Sequence, residues 1–339
     1  MKNKKIFLLC FIILCCIREL GLSQTVPDSY RDGIEYTVAG DFESAKQEFG
    51  KALQKMPYFT PPNILLQTIK DVETNEISKE VALYLFRGVQ YENNNQLEKA
   101  IAEYEKAIKI TPNYSGVYIY RGSFYFANKQ FNEAINDFSK SIALDSENFP
   151  AFINRGTTYY VLRQLDNAIS DFSKAITINP KEATMYYNRG LAYLSLGESD
   201  KAISDFSLAI EKNSLLGRAY SKRGNTYISL GKHESALSDY NKSIEVEPDY
   251  FEAYLNRANL YGDKGMYKEA ISDYDMAIKL SHGFPITYYN KGLTCEQAGL
   301  KGEALKSYKE FIAVASSDMN TYIDWAKKKI QELEINQQK

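Results

Sequence analysis

Residues 183–216 read ATMYYNRGLAYLSLGESDKAISDFSLAIEKNSLL, and this string decides the fold. Tyr186, Gly190 and Tyr193 are spaced four and three apart, which sets them on one stripe of a first helix. Ala202, Phe206, Ala209 and Ile210 form the matching stripe of a second helix. Gly190 and Ala202 carry almost no bulk, so the two axes approach closely while Phe206 fills the space beside them. Gly197 lies between the stripes, where a residue tolerating positive φ ends the first helix. Neither helix buries its stripe alone, so the pair needs a neighbour.

The neighbours are spelled out in the sequence. Seven contiguous blocks of 34 residues start at Val81, Ser115, Phe149, Ala183, Gly217, Phe251 and Pro285. The eighth place of each is small: Gly88, Gly122, Gly156, Gly190, Gly224, Ala258 and Gly292. The twentieth is alanine throughout, from Ala100 and Ala134 to Ala304. The twenty-fourth is aromatic: Tyr104, Phe138, Phe172, Phe206, Tyr240, Tyr274 and Tyr308. Pro180 and Pro248, near block ends, stop the second helix and start the next block. The inter-helix glycine of Gly197, Gly231, Gly265 and Gly299 gives way to Asn95, Lys129 and Arg163 in the first three blocks. Lysine and arginine resist positive φ, so those two turns are expected to be strained or differently shaped.

This period, with its small and aromatic places, resembles the tetratricopeptide repeat (TPR) family. The resemblance implies an all-α, right-handed superhelix, an α-solenoid with a C-terminal capping helix. Residues 24–80 then form a divergent N-terminal hairpin plus an inserted segment, residues 81–318 the seven blocks, and residues 319–339 a capping helix and tail. In the first of these, Gly33, Tyr36, Gly40, Ala45, Phe49, Ala52 and Pro57 keep the repeat's register. Thr60–Glu80, with Pro61 and Pro62 ahead of Ile64, Leu65, Leu66 and Ile69, reads as a turn and an extra helix. At the far end Tyr322, Trp325, Ile330 and Leu333 make one apolar face among charged residues, as a helix sealing the last block requires.

By the same resemblance, the second, fifth, ninth, twelfth and thirteenth places of each first helix line a concave groove. That wall comprises Leu85, Val89, Ile119, Phe126, Ile153, Tyr160, Tyr187, Leu191, Leu194, Ile228, Leu255, Asn259 and Tyr289, with sparse charge from Arg218 and Glu252. It suits an extended or helical segment of another protein held mainly by apolar contact. Some family members clamp a terminal carboxylate with lysines and asparagines. Asn225 and Asn259 match the asparagine place, but Ser221 and Leu255 stand where the clamp lysine belongs, so that mode is not expected. Asn154, Asn188, Asn256 and Asn290 at the sixth place bond either a bound segment or their own hairpins.

A charge pair recurs with the period. Arg87, Arg121, Arg155, Arg189, Arg223 and Arg257 hold the seventh place, and Glu103, Asp137, Asp171, Asp205, Asp239 and Asp273 the twenty-third. The last block has Lys291 and Ser307 instead. Two readings stand: structural pairs across the hairpin seam, or arginines free for acidic groups on a ligand. The first is favoured, because a guanidinium beside a close helix contact would otherwise strand its charge.

The N-terminus reads differently. Lys2, Lys4 and Lys5 precede twelve uninterrupted apolar residues, Ile6–Ile17, and then the small Gly21 and Ser23. This is the order of a secretory signal peptide over residues 1–23, cut near Ser23, and the run is too short for a bilayer span. A lipid anchor on Cys15 or Cys16 is the alternative, although Leu14 and Cys15 are poor preceding residues for it. The implied location is extracytoplasmic: periplasmic or secreted in a bacterium.

Composition narrows the function. Of 339 residues, 44% are hydrophobic and 25% charged, ample for a packed core. The balance of 41 basic against 43 acidic residues gives no excess for a nucleic-acid surface. Cleavage would leave 37 basic and 42 acidic residues, net −5, and Cys295 as the sole cysteine. Cys295 replaces the tyrosine of the eleventh place (Tyr91, Tyr125, Tyr159, Tyr193, Tyr227, Tyr261) and reads as a small buried hydrophobe. His233 and His282 fall at block junctions, and Gly231-Lys232-His233 is a turn without a phosphate nest. No metal motif, cofactor loop or catalytic constellation emerges. The expected function is a non-enzymatic scaffold for a protein or peptide; a glycan- or small-ligand-binding face built on the tyrosines is the alternative, and an enzyme ranks last.

Overall fold

Each 34-residue period folds as two helices because its small and large side chains interlock. The computed structural model describes residues 27–55 and 61–337. The apolar run Ile6–Ile17, the expected cut near Ser23, and Pro57 lie outside the described residues. Contacts divide the chain into two compact units, one ending at Leu196 and the other resuming at Gly197.

The N-terminal unit holds α1 (Asp28–Ala39), α2 (Phe42–Lys55), α3 (Pro61–Glu73), α4 (Lys79–Asn93), α5 (Leu97–Ile110), α6 (Ser115–Ala127), α7 (Phe131–Leu144), α8 (Phe149–Val161), α9 (Leu165–Ile178) and α10 (Ala183–Ser195). The C-terminal unit holds α11 (Ser199–Lys212), α12 (Gly217–Ser229), α13 (His233–Val246), α14 (Phe251–Asp263), α15 (Tyr267–Ser281), α16 (Pro285–Gln297), α17 (Lys301–Val314) and α18 (Asn320–Gln337). Among the described residues the structure is all-α apart from a single 3-10 turn, Ser317–Met319. The division falls inside the fourth block, whose two helices belong to different units.

The interlocking follows the sequence pattern. The aromatic at the twenty-fourth place is buried in every block, and each alanine of the twentieth place is sealed. The eighth-place glycine makes room for that ring: a methyl on Gly224 would sit 2.8 Å from the Tyr240 ring. Helices pair as α4/α5, α6/α7 and α8/α9 in the N-terminal unit, and as α12/α13, α14/α15 and α16/α17 in the C-terminal unit. Each second helix also packs on the next first helix. First helices of successive blocks (α4, α6, α8, α10; and α12, α14, α16) approach one another more closely than successive second helices do. In each unit they therefore lie on the inside of the curve.

Asn95, Lys129 and Arg163 adopt φ of 57°, 61° and 60°, beside 71–79° at the turn glycines Gly197, Gly231, Gly265 and Gly299. The expectation of differently shaped turns is thus corrected: the same left-handed cap forms, closed by bonds such as Gln130 N–H to the Tyr125 carbonyl at 2.8 Å, and the strain is borne by the residue.

The ends depart from the pattern. The α1/α2 hairpin keeps the repeat's interior, with Ala45, Phe49 and Ala52 sealed, although Tyr36 is exposed. Yet α1 packs on α4 alongside α3, and α2 adds its first residue, the Phe42 ring lying 5.9 Å from that of Phe86. Leu65 and Ile69 of α3 enter the same buried cluster as Leu85 and Val89. Further bonds go beyond α4: the Thr68 hydroxyl meets the Tyr120 hydroxyl of block two at 2.8 Å, and the hydroxyl of Tyr114, the last residue of block one, donates to Asp71. At the other end α18 packs on α17, burying Ala326 and Leu333. Trp325 stacks edge-on against Tyr289 and Tyr308 at 5.3 and 5.5 Å, so it belongs to the seal.

Candidate functional site

The inner face of the N-terminal unit is shorter than the period implies. Leu85, Val89 and Phe126 are fully buried or nearly so, and Ile119 is only 5% exposed. The first two lie in the cluster that α3 completes, so they are core rather than open wall. Tyr187 is buried as well. Ile153, Tyr160, Leu191 and Leu194 remain half-buried. Two of them meet at a shallow crevice of about 10 Å³ between α8 and α10, bordered by Thr157, Tyr160, Phe172, Asn188 and Leu191. The Tyr160 hydroxyl lies 3.3 Å from that of Ser195, which fixes the ring as one wall. Thr157 was missed by sequence reasoning; its ninth place is shared with Asn225 and Asn259, so the register itself was the available signal.

In the C-terminal unit the inner face is polar and largely bonded to itself. Asn259 accepts from the Tyr274 hydroxyl at 2.8 Å and from the Asn290 amide at 3.0 Å. Asn225 accepts from Tyr240 at 2.7 Å, and the Asn256 amide reaches Ser221 at 3.5 Å. Asn256 and Asn290 therefore tie one first helix to the preceding one, rather than their own hairpins. Leu255 is buried and Ile228 half-buried. Tyr289 lies under α18, ringed by Phe311, Tyr322 and Trp325 at 5.2–5.4 Å, so it seats the cap and is no part of an open groove.

The tyrosine hydroxyls explain where the apolar wall occurs. Tyr104 and Tyr308 donate to Glu92 and Glu296 at the twelfth place, while Tyr240 and Tyr274 use asparagine at the ninth. Blocks two to four carry phenylalanine instead, and need no acceptor on the inner face. Their ninth and twelfth places are free to be apolar, as at Tyr160, Leu191 and Leu194. Burial pushes the Glu92 carboxyl well above its ordinary range. Burial also raises Glu252 to about 7, near Lys222, Arg218 and Glu247; Arg218 itself bonds Glu247 at 3.3 Å.

The arginines form two-pronged pairs inside the hairpins. Arg121, Arg155, Arg223 and Arg257 meet Asp137, Asp171, Asp239 and Asp273 at 2.7–2.8 Å. Three reach back to the preceding block as well: Arg155 to Ser139 at 3.0 Å, Arg223 to Ser207 at 2.9 Å, Arg257 to Asn241 at 2.7 Å. Arg189 likewise donates to Ser173 at 3.0 Å; it and Asp205 belong to different units. These twenty-fifth-place partners were not anticipated, because a polar residue on a second helix looks like ordinary surface. The first pair is corrected: Arg87 is exposed, and Glu103 turns to Lys106 at 2.5 Å within its own helix. Glutamate is one methylene longer than aspartate, which carries its carboxylate past the seam. Lys291, facing no acid at Ser307, reaches back to Asp275 at 2.7 Å. Phe152 and Tyr159 flank Arg155 at 5.8 and 5.9 Å, and Tyr220 and Tyr227 flank Arg223 at 5.7 and 6.0 Å.

Among the described residues, no group of three histidines, cysteines or acids is placed to hold a metal. Cys295 is fully buried, and burial pushes its thiol up, away from nucleophilic use. His233 opens α13, and His282 caps α15 in the left-handed region. No helix among the described residues is long and apolar enough to cross a membrane.

Known proteins agree with this architecture. Models described as "TPR repeat" and "Tetratricopeptide repeat" match residues 90–129, 159–197 and 224–265, 183–214 and 251–284, and 116–148 and 286–318. A tetratricopeptide repeat protein from Parabacteroides merdae is similar in fold, with TM-score 0.57 and 18% identity, over 76% of this chain and 100% of that one. The Cut9–Hcn1 hetero-tetramer structure of APC/C matches at TM-score 0.58 and 15% identity, over 88% and 62%. MamA shares 28% identity over 48% of this chain and 94% of its own, at TM-score 0.44. No curated protein sequence matches the chain.

Proposed function

Since the chain belongs to the tetratricopeptide-repeat family, we propose that it is a non-enzymatic scaffold that seats a segment of another protein against its inner face, centred on the crevice between α8 and α10. The observation that carries this reading is the concentration of half-buried apolar side chains there: Ile153, Tyr160, Leu191 and Leu194, next to Val161 and Leu196 at 38% and 41% exposure. Apolar surface left at a concave site gains by being covered, at roughly 25 cal/mol per Å². Elsewhere the inner face is sealed by α3, bonded to itself, or capped by α18. The tyrosines that a glycan-binding face would need are mostly spent: Tyr187 is buried and Tyr289 is covered.

Co-purification from the native compartment tests the proposal. Tyr160→Ala with Leu191→Ala is expected to lose a specific partner while melting near the wild-type temperature; Lys174→Ala, on the exposed side of α9, is expected to retain it. Equal recovery by both variants would remove the inner face from consideration.

We further propose that the protein acts outside the cytoplasm. Support comes from the order of basic, apolar and small residues in 1–23. N-terminal sequencing of protein from its native source is expected to begin near Gln24, and an intact Met1 would reverse the reading.

A further inference from the structure

We infer that α1–α3 form a proton-controlled cover over the inner face of block one, closed while Glu92 carries a proton and opening as that carboxyl ionises. The cover is continuous. Tyr30 and Ile34 of α1, with Leu65 and Ile69 of α3, share one buried cluster with Leu85 and Val89 of α4. From α2, Phe42 lies against Phe86 of α4, and the Phe49 ring stands 6.1 Å from that of Tyr30. Glu92, at the twelfth place of this block, is only 1% exposed. One carboxyl oxygen accepts from the Tyr104 hydroxyl; the other is buried and meets no hydrogen-bond partner among the described residues. The titratable groups around the Glu92–Tyr104 pair are hydroxyls, Tyr30 from α1 and Tyr120 from α6, with Asp71 of α3 beyond Tyr120. No lysine, arginine or histidine among the described residues acts on the carboxyl.

The last block shows what a paired carboxylate at this place looks like. Glu296, also twelfth, is half-buried and accepts from the Tyr308 hydroxyl at 3.0 Å, and Lys329 of α18 brings an ammonium to 2.9 Å. Block one repeats the acid and the tyrosine without the cation. Burial therefore favours the neutral acid and holds the Glu92 carboxyl well above its ordinary range. Once ionised, that charge regains water only if the cover lifts. The sign follows from linkage. In the open form the carboxyl titrates near its ordinary 4.5, and in the closed form it titrates higher. Between those two values opening releases one proton, so each pH unit raises the ratio of open to closed about tenfold. The α4/α5 hairpin keeps its own pairing and its packing on α6, so the opening is local.

Native-state hydrogen exchange of the full chain between pH 5 and 9, corrected for the intrinsic rate at each pH, reads the opening directly. Peptides from α1–α3 are expected to open at least about tenfold more often at pH 7 than at pH 5, while those from α6 and α7 hold steady. Glu92→Gln stays neutral at every pH and still accepts from Tyr104, so its profile is expected to be flat. Glu296→Gln is expected to leave the response of α1–α3 as in the wild type. Tyr104→Phe keeps the proposal testable if Glu92→Gln loses the cover outright. It removes the bond that favours the ionised acid, so the rise is expected to continue to higher pH before levelling. Levelling at the wild-type pH in that variant would overturn the inference. So would a flat wild-type profile, an undiminished response in Glu92→Gln, or α6 and α7 exchanging in step with α1–α3.

Discussion

The Arg155 guanidinium uses two nitrogens on Asp171 of its own block and the third on Ser139 of the block before, so one side chain both closes a hairpin and ties it to its neighbour. Asp171 is buried, and its loss would strand the arginine's charge. Asp171→Asn is expected to cost about 2 kcal/mol of stability, read as a lower denaturation midpoint, with partner binding unchanged. The seventh and twenty-third places declared this pairing in the sequence, because both columns are charged and period-locked. The twenty-fifth place did not, since Ser139, Ser173 and Ser207 carry no charge to betray a partner. Glu252 supplies a second residue-scale test. Its folded pKa of about 7 exceeds its ordinary 4.5 because burial disfavours the ionised form. The folded chain therefore binds the proton more tightly than the unfolded one. Stability from this group is full below pH 4.5 and is lost as pH rises toward 7, by about 3 kcal/mol. Glu252→Gln is expected to flatten that part of a melting-temperature profile against pH; an unchanged slope would place the loss elsewhere.

Among the elements, the turns between paired helices show sequence and conformation pulling apart. Lys129 and Arg163 hold the same left-handed geometry as Gly231 and Gly265, at the steric cost of a Cβ. Lys129→Gly and Arg163→Gly are each expected to stabilise the chain by about 1 kcal/mol in denaturant unfolding. Such a turn is dictated by the helices on either side, so a poor local residue does not reshape it. Helix number and pairing were legible because period, small places and aromatic places agreed. The position of α3 was not. Its apolar residues announced a buried helix, but nothing local told that Thr68 and Asp71 would reach Tyr120 and Tyr114 in another block. That long-range contact is why Leu85 and Val89 became core instead of groove. Tyr289 was misread for the same reason, since its cover comes from α18.

For the molecule as a whole, stability and function draw on its first helices in different ways. Without α18 the faces of Tyr289, Tyr308 and Phe311 would meet water. A chain ending at Ser316 is expected to bind a hydrophobic dye and to unfold its last hairpin at lower denaturant than the full chain, as a repeat array without its cap does. Helix-by-helix periodicity identified the family, whereas the open stretch of inner face was decided by which helices cover it. The central claim is that the crevice between α8 and α10 touches the partner. A photo-crosslinking residue placed at Leu191, irradiated in the native compartment, tests it most directly against the same residue at Lys174. The account predicts one discrete adduct from position 191 and none from position 174. An adduct from position 174 alone, or equal adducts from both, would contradict it.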